Sequence, residues 1–100
     1  MENLFVYGTL QDPHIQQMIF GRLVEGQPDV LINFSKFQVQ LGGQFYPMIA
    51  PTTDSRVEGW LLRVTPEELQ RADVYETEDY QRVRVQLSSG IQAWVYQEPA

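Results

Sequence analysis

The feature that most constrains the fold is an apolar run near the start of the chain that stops at a glycine. Residues 4–6, Leu-Phe-Val, are followed by Tyr7 and Gly8. Three consecutive apolar residues are typical of a strand that is buried on both faces. The sequence therefore predicts a central strand over residues 3–8. Where a strand ends at a glycine and a helix follows, several backbone N–H groups are exposed at one point. The turn is therefore a candidate binding site for an anion or a polarised carbonyl oxygen.

Two short helices are predicted from their start signals. Asp12 is a favoured N-cap and Pro13 suits the first helical position, so a helix begins there and ends at Gly21. A second helix is predicted over residues 66–75, because Thr65 supplies an N-cap and acidic residues occupy the first turn. Both segments carry apolar residues at helical spacing.

The rest of the chain carries short runs that are typical of strands. They lie at residues 23–24, 30–32, 37–41, 46–51, 57–64, 82–87 and 92–96. Gly59 inside one run predicts a bulge or a close backbone approach, and residues 88–90, Ser-Ser-Gly, predict a tight hairpin. About six strands and two short helices predict an α+β protein, in which helices close one side of a curled sheet or small barrel. No linker or repeat interrupts the chain, so residues 1–100 are expected to form one domain.

Composition excludes several classes of function. The net charge of −6 argues against nucleic acid or an anionic membrane as the main partner. The chain has no cysteine, which removes thiolate nucleophiles and fits a reducing cytosol. A single histidine, His14, rules out a multi-histidine metal site within one chain. No apolar run approaches the ~20 residues of a membrane span, and the first residues lack the basic start of a signal peptide, so a cytoplasmic location is expected.

The residues alone leave the chemistry open. None of the four serines lies in a Gly-x-Ser-x-Gly elbow, which disfavours a serine hydrolase. Taken by itself, Gly8 predicts a turn position with positive φ. Asp73 and Glu76 would face one side of a continuing helix, but their cluster with Glu78 and Asp79 is by itself more typical of a solvated acidic loop. A divalent-metal site in this cluster is conceivable, although the spacing matches no calcium loop.

Considered together, the motifs resemble the gamma-glutamylcyclotransferase-like superfamily, in particular its small members similar to gamma-glutamylamine cyclotransferase. The matching segments occur in the same order along nearly the whole chain. They are residues 6–10, 46–49, 57–59, 72–76, 80–82 and 93–96. The resemblance implies a small mixed β-barrel with α-helices and no cofactor. Ala72, Thr77 and Gln11 depart from the usual residues of the family, although none of the three replaces a catalytic atom.

The resemblance also implies an activity. Members of the family release 5-oxoproline from a gamma-glutamyl amine or amino acid by intramolecular attack. The family's binding turn corresponds here to Tyr7, Gly8, Thr9 and Leu10, and its proton-transfer residue corresponds to Glu76. Tyr80 is included as a wall of the pocket. Glu76 is preferred over Glu78, because only Glu76 keeps the Asp-x-x-Glu spacing from Asp73.

This chemistry suits the residue types that are present. The α-amine of the substrate is an ammonium at neutral pH, and one carboxylate can take its proton and later return it to the leaving amine. The amine and the γ-carbonyl belong to one molecule, so no nucleophile from the enzyme is needed. Backbone N–H groups of the turn would hold the oxyanion or the α-carboxylate.

A second hypothesis is a small-ligand-binding or regulatory domain that keeps the pocket without turnover. The two hypotheses differ in what they require of Glu76, because only an enzyme needs this carboxylate inside a cavity beside the turn. The partner is a small molecule in both cases. The amine half of the substrate and the oligomeric state stay open at this stage.

Overall fold

The computed structural model describes residues 1–99, which form five strands, two α-helices and two single-turn 3₁₀ helices. In chain order these are β1 (Glu2–Val6), a 3₁₀ turn (Thr9–Gln11), α1 (Pro13–Phe20), β2 (Gly26–Leu41), β3 (Gln44–Val64), α2 (Pro66–Glu76), a second 3₁₀ turn (Thr77–Asp79), β4 (Gln81–Gln86) and β5 (Gln92–Gln97). Among these residues, no helix has the length and apolar character that a membrane crossing requires.

The five strands form one mixed sheet with the order β2-β3-β1-β5-β4. β1 and β5 pair in parallel, and the other neighbours are antiparallel. The sheet curls so that the turn between β4 and β5 reaches the edge strand β2, where the Ser88 N–H donates to the Val30 carbonyl at 2.8 Å. Asp29 reinforces this closure by accepting a 2.6 Å hydrogen bond from the Ser89 hydroxyl. The predicted α+β class, a small mixed barrel-like sheet with two short helices, is confirmed as a curled half-barrel.

The sheet has fewer strands than the short apolar runs suggest, because two strands are unusually long. β2 spans both the 30–32 and the 37–41 runs, and β3 spans both the 46–51 and the 57–64 runs. A register shift between Ile32 and Phe34 lets the paired strands continue through the expected breaks. The prolines of β3 are tolerated because β1 pairs only with its last five residues, which leaves the proline-bearing half paired on the β2 side alone.

Each face of the sheet carries an apolar core. The concave face buries Phe5, Leu31, Ile49, Val57, Leu61, Leu87, Ala93 and Val95, together with the ring of Tyr7. The other face packs under the two helices and buries Leu4, Val6, Leu10, Phe20, Val24, Leu62, Val64, Leu69, Ala72 and Tyr96. β1 contributes to both cores, as its unbroken apolar run predicts.

Gly59 lies where β3 crosses the end of β1. A Cβ atom at this position would lie 2.3 Å from the Val6 carbonyl oxygen and 2.7 Å from the Phe5 ring. The glycine therefore serves a close backbone approach, one of the two roles that the sequence predicts for it. This contact holds the end of β1, from which the candidate site begins.

The helices start as their sequence signals predict. The Asp12 carboxylate accepts a 2.7 Å hydrogen bond from the His14 N–H at the start of α1, and Gly21 ends the helix with φ 71°. The buried side chain of Gln16 ties α1 to the neighbouring turns. Its amide donates to the Leu10 carbonyl at 2.9 Å and accepts from the Val24 N–H at 3.0 Å. These bonds anchor the last residue of the predicted binding turn.

Candidate active site

A cavity of about 330 Å³ lies beyond the end of β1. The turn after β1, the tip of the β2–β3 hairpin, the end of α2 and β5 all contribute to its walls. Each site residue that the sequence predicts lines this one cavity. These residues are Tyr7, Gly8, Thr9, Leu10, Glu76 and Tyr80. Glu78 does not line it among the described residues.

The turn after β1 is a single 3₁₀ turn that begins at Thr9. Its bonded amides are those of Gln11 and Asp12, which donate to the Gly8 and Thr9 carbonyls at 3.1 and 3.0 Å. The N–H groups of Thr9 and Leu10 come before Gln11, whose N–H makes the first hydrogen bond of the turn. The turn therefore provides no hydrogen-bond acceptor for these two N–H groups. The Thr9 hydroxyl lies 2.8 Å from the hydroxyl of Tyr75 on α2.

Gly8 is needed for space and not for a positive φ. Its φ of −129° contradicts the positive φ that the residue alone predicts. A Cβ atom at Gly8 would lie 2.7 Å from Cγ of Pro47, which belongs to β3 and lines the same cavity. The glycine lets the Pro47 ring close against the turn.

All five tyrosines of the chain line the cavity. They are Tyr7, Tyr46, Tyr75, Tyr80 and Tyr96. The Tyr7 hydroxyl donates to the Tyr96 carbonyl, and the Tyr80 hydroxyl donates to the Pro47 carbonyl at 2.7 Å. Burial, followed by the nearby Glu76 and Asp79, raises the pKa of Tyr80 to about 12. The phenols of Tyr7 and Tyr80 therefore stay protonated at neutral pH and act as hydrogen-bond donors.

Glu76 is the last residue of α2, and it lies inside this ring of tyrosines. Burial raises the pKa of its carboxyl to about 7. Within residues 1–99, its carboxylate has no hydrogen-bonding or ion-pair partner, and the described lining contains no lysine, arginine or histidine that would stabilise its charge. A half-buried acid with this pKa can hold or release a proton near neutral pH.

Asp73, one turn earlier on α2, has a structural role. Its carboxylate accepts two hydrogen bonds from Arg82, at 2.8 and 3.1 Å, and a 2.7 Å hydrogen bond from the Tyr96 hydroxyl. The guanidinium of Arg82 in turn stacks on Trp94, 4.3 Å from the ring centroid. This cluster fixes the end of α2 against β4 and β5, so Asp73 belongs to neither a solvated loop nor the cavity lining.

The four acids of this region do not converge. Over residues 1–99, no three histidine, aspartate or glutamate side chains are grouped as ligands of a metal ion would be. Three of the cavity tyrosines, Tyr46, Tyr75 and Tyr96, are missed by the prediction from sequence. Each of them lies in a segment that carries the family resemblance, which is the one signal that singles them out.

Comparison with known proteins identifies the family. Residues 4–100 match the family model described as gamma-glutamyl cyclotransferase, AIG2-like. The chain therefore belongs to this family, as its ordered motifs predict.

The curated relatives include AIG2-like proteins of Arabidopsis thaliana. AIG2-like protein A is 36% identical over 86 residues, which cover 85% of this chain and 51% of the relative. AIG2-like protein B is 34% identical over 88 residues, which cover 87% and 50%. The chain thus spans about half the length of the curated relatives that it matches.

Solved structures show the same fold. An Arabidopsis thaliana protein whose structure was determined in solution superposes with a TM-score of 0.83 at 31% identity, covering 97% of this chain and 68% of that one. A structure described as gamma-glutamyl cyclotransferase superposes with a TM-score of 0.82 at 15% identity, covering 98% and 66%. At that identity, the second likeness establishes the fold alone.

Proposed function

We propose that this protein is a gamma-glutamyl cyclotransferase-type enzyme, which releases 5-oxoproline from a gamma-glutamyl amine or amino acid. The observation that carries the proposal is the position of Glu76, an unpaired and desolvated acid in the same cavity as the turn at residues 7–10. Membership of the family supports the same reaction class. A cavity of about 330 Å³ is of the size that encloses a small ligand.

The proposed reaction needs one proton shuttle and no nucleophile from the protein. Glu76 takes a proton from the α-ammonium of the substrate, and the freed amine attacks the γ-carbonyl carbon to close a five-membered ring. As the bond to the leaving amine breaks, Glu76 returns its proton to that nitrogen. The carboxylate then takes the second proton from the ring nitrogen and passes it to the released amine, which departs as an ammonium. A pKa near 7 suits both steps, since the same group must accept and then donate at neutral pH. Holding the two reacting groups close together supplies much of the remaining rate.

The negative charges of the substrate must be stabilised by neutral hydrogen-bond donors, because the described part of the cavity offers no cationic side chain. The described lining holds no lysine, arginine or histidine, so backbone amides and the paired hydroxyls of Thr9 and Tyr75 are left to supply the hydrogen bonds. The amides of Thr9 and Leu10 are proposed to bind the α-carboxylate or the oxyanion that develops at the γ-carbonyl. Tyr80 forms another part of the wall, and its hydroxyl donates to the Pro47 carbonyl.

The proposal is tested by screening purified protein against a panel of gamma-glutamyl amines and amino acids for release of 5-oxoproline. We expect release from at least one class of compound. Glu76→Gln should abolish it without lowering the melting temperature, because the substitution removes a desolvated acid without removing an ion pair. Glu78→Gln is the matched control, since Glu78 lies outside the described lining.

Two outcomes would contradict the proposal. Equal activity of the parent protein and Glu76→Gln would remove Glu76 as the acid–base residue. Binding of gamma-glutamyl compounds measured by calorimetry, with no 5-oxoproline released from any of them, would instead support a ligand-binding domain without turnover.

A further inference from the structure

The residue that follows Glu76 has an unusual backbone. Thr77 adopts φ 63° and ψ −168°, a region of backbone space that is essentially restricted to glycine. Residues held in this way persist where the surrounding structure enforces them, and they cluster at functional sites. We propose that Thr77 is a positioning residue that holds Glu76 and Tyr80 on the cavity, through its reversed backbone and its hydroxyl. The inference deepens the proposed function and rests on it.

The backbone of Thr77 separates two cavity residues. Its N–H donates to the Asp73 carbonyl, which closes the last turn of α2 and keeps Glu76 helical at φ −73°. Its carbonyl accepts from the Tyr80 N–H at 3.4 Å, which closes the 3₁₀ turn that follows. A helical conformation at Thr77 would extend α2 and take residues 78–80 off their path into β4. The strained conformation is thus what lets the chain present both Glu76 and Tyr80 to one cavity.

The side chain of Thr77 holds the turn in this conformation. Its hydroxyl donates to the Asp79 carboxylate at 3.0 Å and accepts from the Asp79 N–H at 3.3 Å. Glycine would adopt the same backbone without strain but would lose both bonds, whereas alanine would keep the strain and also lose them. The hydroxyl therefore gives threonine a function here that neither smaller residue can supply.

Thr77 also lies on the boundary between the cavity and a neighbouring groove. It lines the candidate site, and it lines a neighbouring groove formed by Asp73, Arg82 and Trp94. Tyr80 and Tyr96 are the other residues shared by the two. A looser turn at Thr77 would therefore admit water to Glu76 from the groove, in addition to moving the carboxylate.

The test uses three substitutions in the full chain, Thr77→Gly, Thr77→Ala and Thr77→Ser. We expect Thr77→Ala to melt at a lower temperature than Thr77→Gly, which reverses the usual order of these residues because the backbone has positive φ. For Thr77→Gly we expect kcat to fall about tenfold to a hundredfold, the scale of a small misplacement of a catalytic group, with a smaller change in KM. Thr77→Ser keeps the hydroxyl and should restore kcat.

A readout that does not depend on turnover is the titration of Glu76 by NMR. In Thr77→Gly the midpoint should move from about 7 towards the ordinary value of a glutamate, because water reaches the carboxylate. A Thr77→Gly variant with unchanged kcat and an unchanged Glu76 titration would overturn the positioning role. A Thr77→Ala variant that melts above Thr77→Gly would overturn the strained backbone. If the parent protein releases no 5-oxoproline, the proposed function fails, whereas the titration and melting results still decide the inference about Thr77.

Discussion

Helix α2 places one shielded carboxylate at each end, and the two have opposite properties. Glu68, in the first turn, accepts hydrogen bonds from Arg22 at 2.8 and 2.9 Å and from the Thr65 N–H at 2.8 Å. These interactions, of which the hydrogen bond from Arg22 is the most important, lower the pKa of Glu68 to about 2. Glu76, the last residue, has no such donor within the described chain, and burial raises its pKa to about 7.

The difference lies in the donors and not in the burial. Burial acts in the same direction on both groups, since it raises the pKa of either carboxyl. At Glu68, an arginine and a capping box outweigh it, and the carboxylate stays charged as part of the fold. At Glu76 nothing outweighs it, and the carboxyl is able to exchange a proton near neutral pH. The comparison separates an acid that stabilises the helix from one that is available for chemistry.

The largest expected effect is on the pH dependence of stability. Between pH 4.5 and 7, the folded protein holds a proton on Glu76 that the unfolded chain has released, so the free energy of unfolding falls as pH rises through this window. The fall amounts to about 3 kcal/mol at 1.36 kcal/mol per pKa unit. Glu68 acts in the opposite sense, because its contribution is present above pH 4.5 and is lost as pH falls towards 2.

Urea unfolding at pH 4.5 and at pH 7.5 measures this effect, with Glu76→Gln as the comparison. The variant should gain stability relative to the parent protein as pH rises between the two values. An identical pH dependence of the two proteins would show that Glu76 is not desolvated, and the contrast between the ends of α2 would be lost.

The next effect concerns rate. If Glu76 must be ionised to accept the substrate proton, kcat/KM should fall about fiftyfold between pH 7, where half of the carboxyl is ionised, and pH 5. The slope approaches about tenfold per pH unit at the acid end of this range. The α-ammonium of the substrate stays protonated over this range and contributes no slope. The measurement is a pH–rate profile for 5-oxoproline release. A midpoint near 4.5, the value of an ordinary glutamate, would contradict the role of burial at Glu76.

The smallest effect is expected from Glu68→Gln. The substitution removes the charge that Arg22 and the capping box share, and it should lower the free energy of unfolding by about 1 to 2 kcal/mol. The loss is limited because the side chain of Arg22 is 43% exposed and is solvated again. Thermal and urea unfolding measure it. The midpoint of the pH–rate profile should stay at that of the parent protein, and a shifted midpoint would mean that the two ends of the helix are coupled.

Local signals predict the helices well and the strands less well. The sequence places α2 over residues 66–75, and the structure has it at Pro66–Glu76 because the cap and the first turn are fixed by neighbouring residues. The two long strands are not predicted as continuous. From the sequence, their prolines predict interruptions of the strands. The structure accommodates the prolines of β3 because β1 pairs only with the C-terminal end of that strand. Pairing partners distant in sequence decide such cases.

The candidate site also has one part that can be predicted from the sequence and one part that cannot. The family resemblance indicates the turn at residues 7–10 and Glu76, but the acidic cluster alone favours a solvated loop. Glu76 shares its cavity with Tyr46 from the β2–β3 hairpin and Tyr96 from β5, and no local pattern brings these residues together. The strained conformation of Thr77 is equally invisible in the sequence, since threonine is an uncommon residue for it.

The hydrogen bond between Tyr7 and Tyr96 joins residues that are 89 positions apart, and this has a consequence for synthesis. During translation β1 emerges before its parallel partner β5, and the other three described strands emerge between them. A nascent chain that has not yet reached residue 92 lacks one wall of the cavity. Until β5 is made, the apolar strand β1 is unpaired on the side that β5 later occupies. Contacts of such long range slow folding. The chain on the ribosome therefore acquires the cavity described here only after β5 has been made.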